Sequence, residues 1–299
     1  MSRPHALVIG RQGQVAMALA RGLPVHGIGC TIVSRPVVDL TQPDTLERVI
    51  AETRPDVVIN AAAYTAVDRA EDEPELAFLS NGQAPGVMAA AAALVGAAII
   101  HISTDYVFDG ASSVAYREGD PVGPLGIYGR SKLAGEVAVA AANPRHIILR
   151  TAWVCSPDGG NFVKTMLKLA AERPELKVVN DQTGVPTFAA DIAEVIASMV
   201  RVLDSSACTA DQFGIFHVAS AGETTWCGFA RAIMAGSQLR GGPHVPVRAI
   251  STADFPTKAR RPAYSKLNTG KLAAVYKLSL PEWDQSLDQC LDALICPVR

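Results

Sequence analysis

The sequence has no Cys-x-x-Cys pair and no group of cysteines and histidines at zinc-ligand spacing. Its six cysteines (Cys30, Cys155, Cys208, Cys227, Cys290 and Cys296) are scattered through 299 residues. That scatter argues against a disulfide scaffold and for reduced thiols in the cytoplasm. Charge is scarce as well. Charged residues make up 19% of the chain and the net charge is −2, which leaves no electrostatic footprint for nucleic acid or an anionic membrane. The start, Met1-Ser2-Arg3-Pro4-His5, leads straight into a strand-like segment with no signal-peptide pattern. One stretch, 84–100, is uncharged, but it is alanine-rich, carries Pro85 and Gly96, and is short for a membrane span. A buried helix at 85–95 followed by a core strand at 97–102 explains it better.

What is present describes a compact α/β protein. The hydrophobic class makes up 49% of a chain long enough to bury a large core. Short β-branched runs alternate with helical patterns, as parallel βαβ units require. Strands are expected at 6–9, 30–33, 56–60, 98–102 and 146–149, all apolar without alternation, hence covered on both faces. A helix follows at 43–53, with Thr41 as N-cap and Pro43 in its first turn. A Gly-, Pro- and Ser-rich loop at 109–126 leads to a helix beginning near Tyr128. Beyond Arg150 the rhythm loosens. Helices are expected at 161–171, 188–202, 224–234 and 281–294, short strands at 177–179 and 215–218, and a loop over 241–261. The fold class expected is a Rossmann-type doubly wound parallel sheet with a smaller C-terminal substrate-binding lobe. The sheet domain would comprise 1–150 and about 187–220, and the lobe about 151–186 and 221–299.

Three patterns carry chemistry. After the first strand comes Gly10-Arg11-Gln12-Gly13-Gln14-Val15-Ala16, a form of the dinucleotide fingerprint. Small residues there let the backbone turn and approach a pyrophosphate at a helix N-terminus. The second strand ends in Ser34-Arg35, with no carboxylate until Asp39. A guanidinium and a hydroxyl in that place favour the 2′-phosphate of NADPH, while use of NADH stays open. Tyr128 and Lys132 are four apart at a helix start and share one face, so the ammonium can draw the phenol toward useful acid–base range. Ser103-Thr104-Asp105 closes the fourth strand at the edge where such sheets bind ligands, and a hydroxyl there can donate to the carbonyl oxygen that Tyr128 protonates.

These motifs resemble the extended short-chain dehydrogenases, and within them the dTDP-4-dehydrorhamnose reductases. The likeness rests on the glycine loop, on 60–68 (NAAAYTAVD), on 103–108 (STDYVF) and on 128–136 (YGRSKLAGE). It continues through 150–154 (RTAWV), 161–166 (NFVKTM), 181–187 (DQTGVPT) and 261–267 (RPAYSKL), nearly the whole chain. The resemblance implies NADPH-dependent reduction of the 4-keto group of dTDP-4-dehydro-6-deoxy-L-mannose to dTDP-L-rhamnose. Thr104, Tyr128 and Lys132 would be catalytic. Gly10, Gln12, Gly13, Gln14, Ser34, Arg35, Asp39, Leu40, Ala61, Ala62 and Ala63 would bind the cofactor, together with Tyr128 and Lys132. Val67, Asp68, Tyr106, Trp153, Asn161, Gln182 and Arg261 would bind the nucleotide sugar, with Arg260 or Lys258 able to replace Arg261.

The chain departs from the family's pattern twice. Cys155 stands where tyrosine is usual, which puts one substrate-side hydrogen bond in doubt. The first helix reads Met17-Ala18-Leu19 where some members carry a metal-binding glutamate, so no metal is expected and a homodimer stays open. Two rival readings remain. One is a reductase of another 4-keto-6-deoxy nucleotide sugar; the other is a non-catalytic regulatory subunit of the methionine adenosyltransferase beta type.

Overall fold

The computed structural model describes residues 3–204 and 208–296. The outermost residues of the expected divisions, 1–2 and 297–299, and the stretch 205–207 lie outside it. The chain begins β1 (His5–Ile9), α1 (Gln14–Val25), β2 (Gly29–Val33), α2 (Pro43–Thr53) and β3 (Val57–Asn60). Two short helices, α3 (Val67–Ala70) and α4 (Pro74–Phe78), and a π-turn (Leu79–Gln83) lead into α5 (Ala84–Leu94). Then come β4 (Ala98–Thr104), α6 (Ile127–Ala142) and β5 (His146–Thr151). The second part holds β6 (Val154–Cys155), α7 (Phe162–Glu172), β7 (Leu176–Val179), β8 (Thr183–Gly184), β9 (Thr187–Phe188) and α8 (Ala189–Leu203). It ends with β10 (Gly214–His217), β11 (Thr224–Thr225), α9 (Trp226–Leu239), β12 (Val247–Ile250), α10 (Gly270–Tyr276) and α11 (Trp283–Ile295).

The main sheet is parallel throughout, in the order β10-β5-β4-β3-β1-β2. Its strands are apolar on both faces because helices cover both. Ala6, Val8, Ala98 and Ile100 pack with α1 and α8, while Leu7, Ile9, Val58 and Ile99 pack with α2 and α5. From β1 the chain moves one way to β2 and then back across to β3. That reversal opens a crevice beyond the carboxyl ends of β1 and β3, where sheets of this kind bind ligands.

A separate apolar cluster sits between α7, α9 and α11 and takes in Val163, Met166, Phe229, Ile233 and Leu291. The Leu272, Tyr276 and Leu280 side chains, by contrast, join the sheet's own core. The stretch 84–100 folds as α5 and the start of β4, and no helix of the described residues is long and apolar enough to cross a membrane.

Three local expectations are corrected. The N-cap of α2 is Gln42, since Thr41 instead donates its hydroxyl to Asp39 Oδ1 (2.8 Å). The 241–261 segment contains β12, which pairs in parallel with β7. It is half-exposed at both ends, so it shows no apolar run. The last helix starts at Trp283, and α10 was not anticipated. The 109–126 loop is tied down: Tyr116 stacks on Phe108 at 4.2 Å and bridges to Leu267, and Glu118 accepts from His217 N–H (3.1 Å).

Candidate active site

One cleft of about 920 Å³ runs along the carboxyl edge of the sheet. Its floor forms where β1 and β3 end side by side. Gly10 has φ 120°, and a Cβ there would sit 3.1 Å from the Ala61 backbone, so only glycine allows the two strand ends to approach this closely. Gly13 then caps α1 in extended conformation with no side-chain hydrogen bond, which leaves the helix N–H groups and their partial positive charge facing the cleft. Gln14 reaches across to the second part of the chain, donating to Val154 O (3.1 Å) and accepting from Asn161 Nδ2 (2.9 Å).

At the end of β2, Ser34 and Arg35 line the cleft, and Arg35 has no ion-pair partner among the described residues. Asp39 is already engaged. Its Oδ1 accepts from the Thr41 N–H (2.9 Å) and hydroxyl, and these bonds hold its carboxyl below the usual range. The first carboxylate after β2 is thus turned inward to its own loop, and the guanidinium is left as the group on offer. Leu40, Ala62 and Ala63 complete this wall.

The chemistry-bearing groups meet at the other end. Thr104 closes β4, accepting from Tyr106 N–H (3.2 Å) and donating to Asp105 Oδ1 (3.0 Å). Gly129 of α6 lets the helix start approach that turn, because a Cβ there would lie 2.2 Å from Tyr106 O. Tyr128 is thereby set edge-on to Tyr106, with centroids 5.6 Å apart. The dry surroundings push the Tyr128 phenol well up, against the pull of the Thr104 hydroxyl, so the lowering expected from the Lys132 ammonium is not found: burial outweighs it. Lys132 is buried at 2% exposure, with Nζ donating to Ile102 O (2.6 Å) and lying 3.3 Å from His101 Nε2. Burial pulls its ammonium down to about 8, opposed by Glu136. Glu136 is itself locked to Arg150 (2.7 Å) and to the Ser103 hydroxyl (2.5 Å), all three buried. Asp105 Oδ2 is buried without a hydrogen-bond partner, and burial raises its carboxyl to about 6.

Val67, Tyr106, Trp153 and Arg261 also line the cleft; Asp68, Asn161 and Gln182 do not. Asp68 holds Arg261 (2.7 Å) and accepts from Ala259 N–H (3.1 Å). Asn161 caps α7 by accepting from Lys164 N–H (3.2 Å), and Gln182 donates to Thr252 Oγ1 (3.0 Å). Lys258 pairs with Asp72 and Arg260 is exposed, so neither stands in for Arg261. Cys155 is buried in the cluster under α7 and α9, away from the cleft lining.

Sequence reasoning missed several lining groups. Trp226 stacks on Trp153. Tyr64 donates to Glu73 (2.7 Å), which also binds Arg69 (2.6 Å). Tyr64 lies inside a motif that had been singled out, whereas Trp226 carried no motif at all. Among the described residues no three His, Cys, Asp or Glu side chains gather at metal-ligand spacing.

Residues 4–296 match the family model described as the RmlD substrate binding domain. A protein of Sinorhizobium fredii named dTDP-4-dehydrorhamnose reductase is 46% identical over 289 residues, covering 96% of this chain and 97% of that one. The crystal structure of a dTDP-4-dehydrorhamnose reductase from Clostridium acetobutylicum superposes with a TM-score of 0.90 at 37% identity, covering 97% of this chain and 99% of that one. One from Bacillus anthracis, in complex with NADP, gives a TM-score of 0.90 at 34% identity with the same coverage.

Proposed function

The chain belongs to the RmlD substrate binding domain family, and on that footing we propose that it is an NADPH-dependent dTDP-4-dehydrorhamnose reductase. The reaction is reduction of the 4-keto group of dTDP-4-dehydro-6-deoxy-L-mannose to dTDP-L-rhamnose. The observation that carries this reading is the meeting of Thr104, Tyr128 and Lys132 with Trp153 and Arg261 in the cleft whose far end is the glycine loop.

The residues present fit a phosphorylated dinucleotide. The close floor at Gly10 and Ala61 and the uncapped α1 N-terminus suit a pyrophosphate, and Ser34 with Arg35 suit a 2′-phosphate. When bound, the nicotinamide supplies the hydride that reaches the C4 carbonyl carbon. Tyr128 is the acid: its raised phenol keeps the proton throughout the neutral range until negative charge develops on the C4 oxygen. Thr104 turns its hydroxyl from Asp105 to the same oxygen, and the Lys132 ammonium steadies the phenolate that remains. Trp153 walls the sugar, and Arg261, oriented by Asp68, faces the diphosphate. Asn161 acts through Gln14 of the glycine loop, to which it donates, and Gln182 is held by Thr252 outside the cleft lining.

The test is NADPH oxidation by the purified protein with dTDP-4-dehydrorhamnose made in a coupled assay, the product being identified by mass and NMR. Formation of dTDP-L-rhamnose supports the reading. A different 4-epimer would assign another sugar. Cofactor binding without turnover would favour a non-catalytic subunit.

A further inference from the structure

The sheet face under α6 changes character along its length. Near the strand starts it is apolar, with Val58, Ile99 and Ile148; one or two residues on it becomes polar, with Asn60, His101, Ser103 and Arg150. Ser103 and Arg150 are accounted for by Glu136. Asn60 and His101 are cross-strand partners in the β3–β4 register, fully buried, and have no place in the mechanism above.

Their hydrogen bonds have one consistent direction. The Ala62 N–H can only donate, and it meets Asn60 Oδ1 at 3.2 Å. The Asn60 amide nitrogen is therefore the atom facing His101 Nδ1, 2.9 Å away, and Nδ1 accepts. Burial, with Lys132 adding to it, holds the ring well below its ordinary range, so it is neutral and its single proton sits on Nε2. Nε2 is the atom 3.3 Å from Lys132 Nζ. A line of donors thus runs from Asn60 through His101 to Lys132, whose Nζ in turn donates a hydrogen bond to Ile102 O.

We propose that His101 is a positioning residue for Lys132: fixed by Asn60 with its proton on Nε2, it turns an N–H toward Nζ and loosens the hold of the Lys132 ammonium, the form the mechanism uses, on its extra proton. An ammonium in that place would set N–H against N–H, so Lys132 holds its extra proton loosely. The other groups that bear on Lys132 are few. Its own helix supplies Glu136, which is neutralised by Arg150 of β5, and Asp105, in the turn after β4, bears on Tyr128 of the same helix. Asn60 of β3 is uncharged. Among the described residues His101 is the one side chain within hydrogen-bond distance of Nζ.

The activity arm of the test rests on the reductase reading; the spectroscopic arm does not. In the full-length protein labelled with 15N, long-range 1H–15N spectra report the tautomer of each histidine, and His101→Gln identifies the signal. The expected pattern is an Nε2–H ring that stays neutral through the range where an ordinary histidine titrates. A ring protonated at Nδ1, or one that titrates, overturns the proposal. Asn60→Asp keeps the bond to Ala62 and offers Nδ1 an acceptor, so it should drive the proton to Nδ1; an unchanged tautomer counts against the assignment. In turnover, the basic limb of kcat/KM should fall near pH 8 and move up by about one unit in His101→Leu. His101→Gln, which keeps an N–H donor, should restore it. A limb that stays put in a folded His101→Leu protein overturns the role. If the protein reduces no keto sugar at all, the reductase reading fails while the tautomer measurement still decides this one.

Discussion

Trp153 lies flat on Trp226, with ring centroids 3.6 Å apart and planes 12° from parallel. The Trp153 backbone sits at φ 46°, a left-handed conformation that costs a non-glycine residue on the order of 1–3 kcal/mol. The stack helps offset that cost, and Phe162 backs Trp226 at 4.6 Å. Trp226→Ala should therefore release Trp153 and raise KM for the nucleotide sugar about tenfold, the scale of one aromatic pair. NADPH affinity, set at the other end of the cleft, should not change. Steady-state kinetics with a fluorescence titration of NADPH check this; an unchanged KM would remove Trp226 from the sugar wall.

Tyr128→Phe keeps the ring's edge contact with Tyr106 and deletes only the hydroxyl. NADPH should bind as before while kcat falls by about 10²–10⁴-fold, the range of a lost general acid. Turnover like that of the parent chain would reject Tyr128 as the acid.

Arg35→Glu places a carboxylate where the guanidinium stands free. NADPH should bind about ten to a hundredfold more weakly while NADH binds as well or better, since a 2′-phosphate is repelled and a 2′-hydroxyl is not. Parallel titrations with the two cofactors measure the ratio, and an unaltered ratio would refute the role.

Asp105 gives a prediction in stability. Burial raises its carboxyl from 3.8 to about 6, so the folded state holds this proton more tightly than the unfolded state does. The resulting stabilisation is complete below pH 4 and is lost as pH rises through about 6. Asp105→Asn abolishes that dependence. The variant should gain up to roughly 3 kcal/mol relative to the parent at pH 8 compared with pH 4. Urea unfolding at the two pH values reads the difference, and a gain that does not grow with pH would show that Asp105 ionises freely in the folded chain.

Much of the first body was legible because its signals are local. The β1 run, the glycine loop and the helix after it are contiguous, and Tyr128 with Lys132 share a helix face by spacing alone. What escaped depends on long-range partners. His101 hid inside a strand that otherwise reads as apolar, and only the β3 register brings Asn60 beside it. Trp226 reaches the cleft through a stack with a residue more than seventy positions away. The β12 strand exists only by pairing with β7. Asp68, Asn161 and Gln182 have the polarity of ligand contacts, yet their nearest partners are an arginine, a helix end and a threonine of the same chain.

The most direct measurement of the account's central claim is hydride transfer from NADPH carrying deuterium at nicotinamide C4, on the face from which the hydride leaves, with each C4 epimer of the label tried in turn. Proton NMR of the sugar product should show deuterium at C4 of dTDP-L-rhamnose from one epimer, and Tyr128→Phe should form almost none of it. Label absent from C4 with both epimers, or labelled product formed equally fast by Tyr128→Phe, would contradict the account.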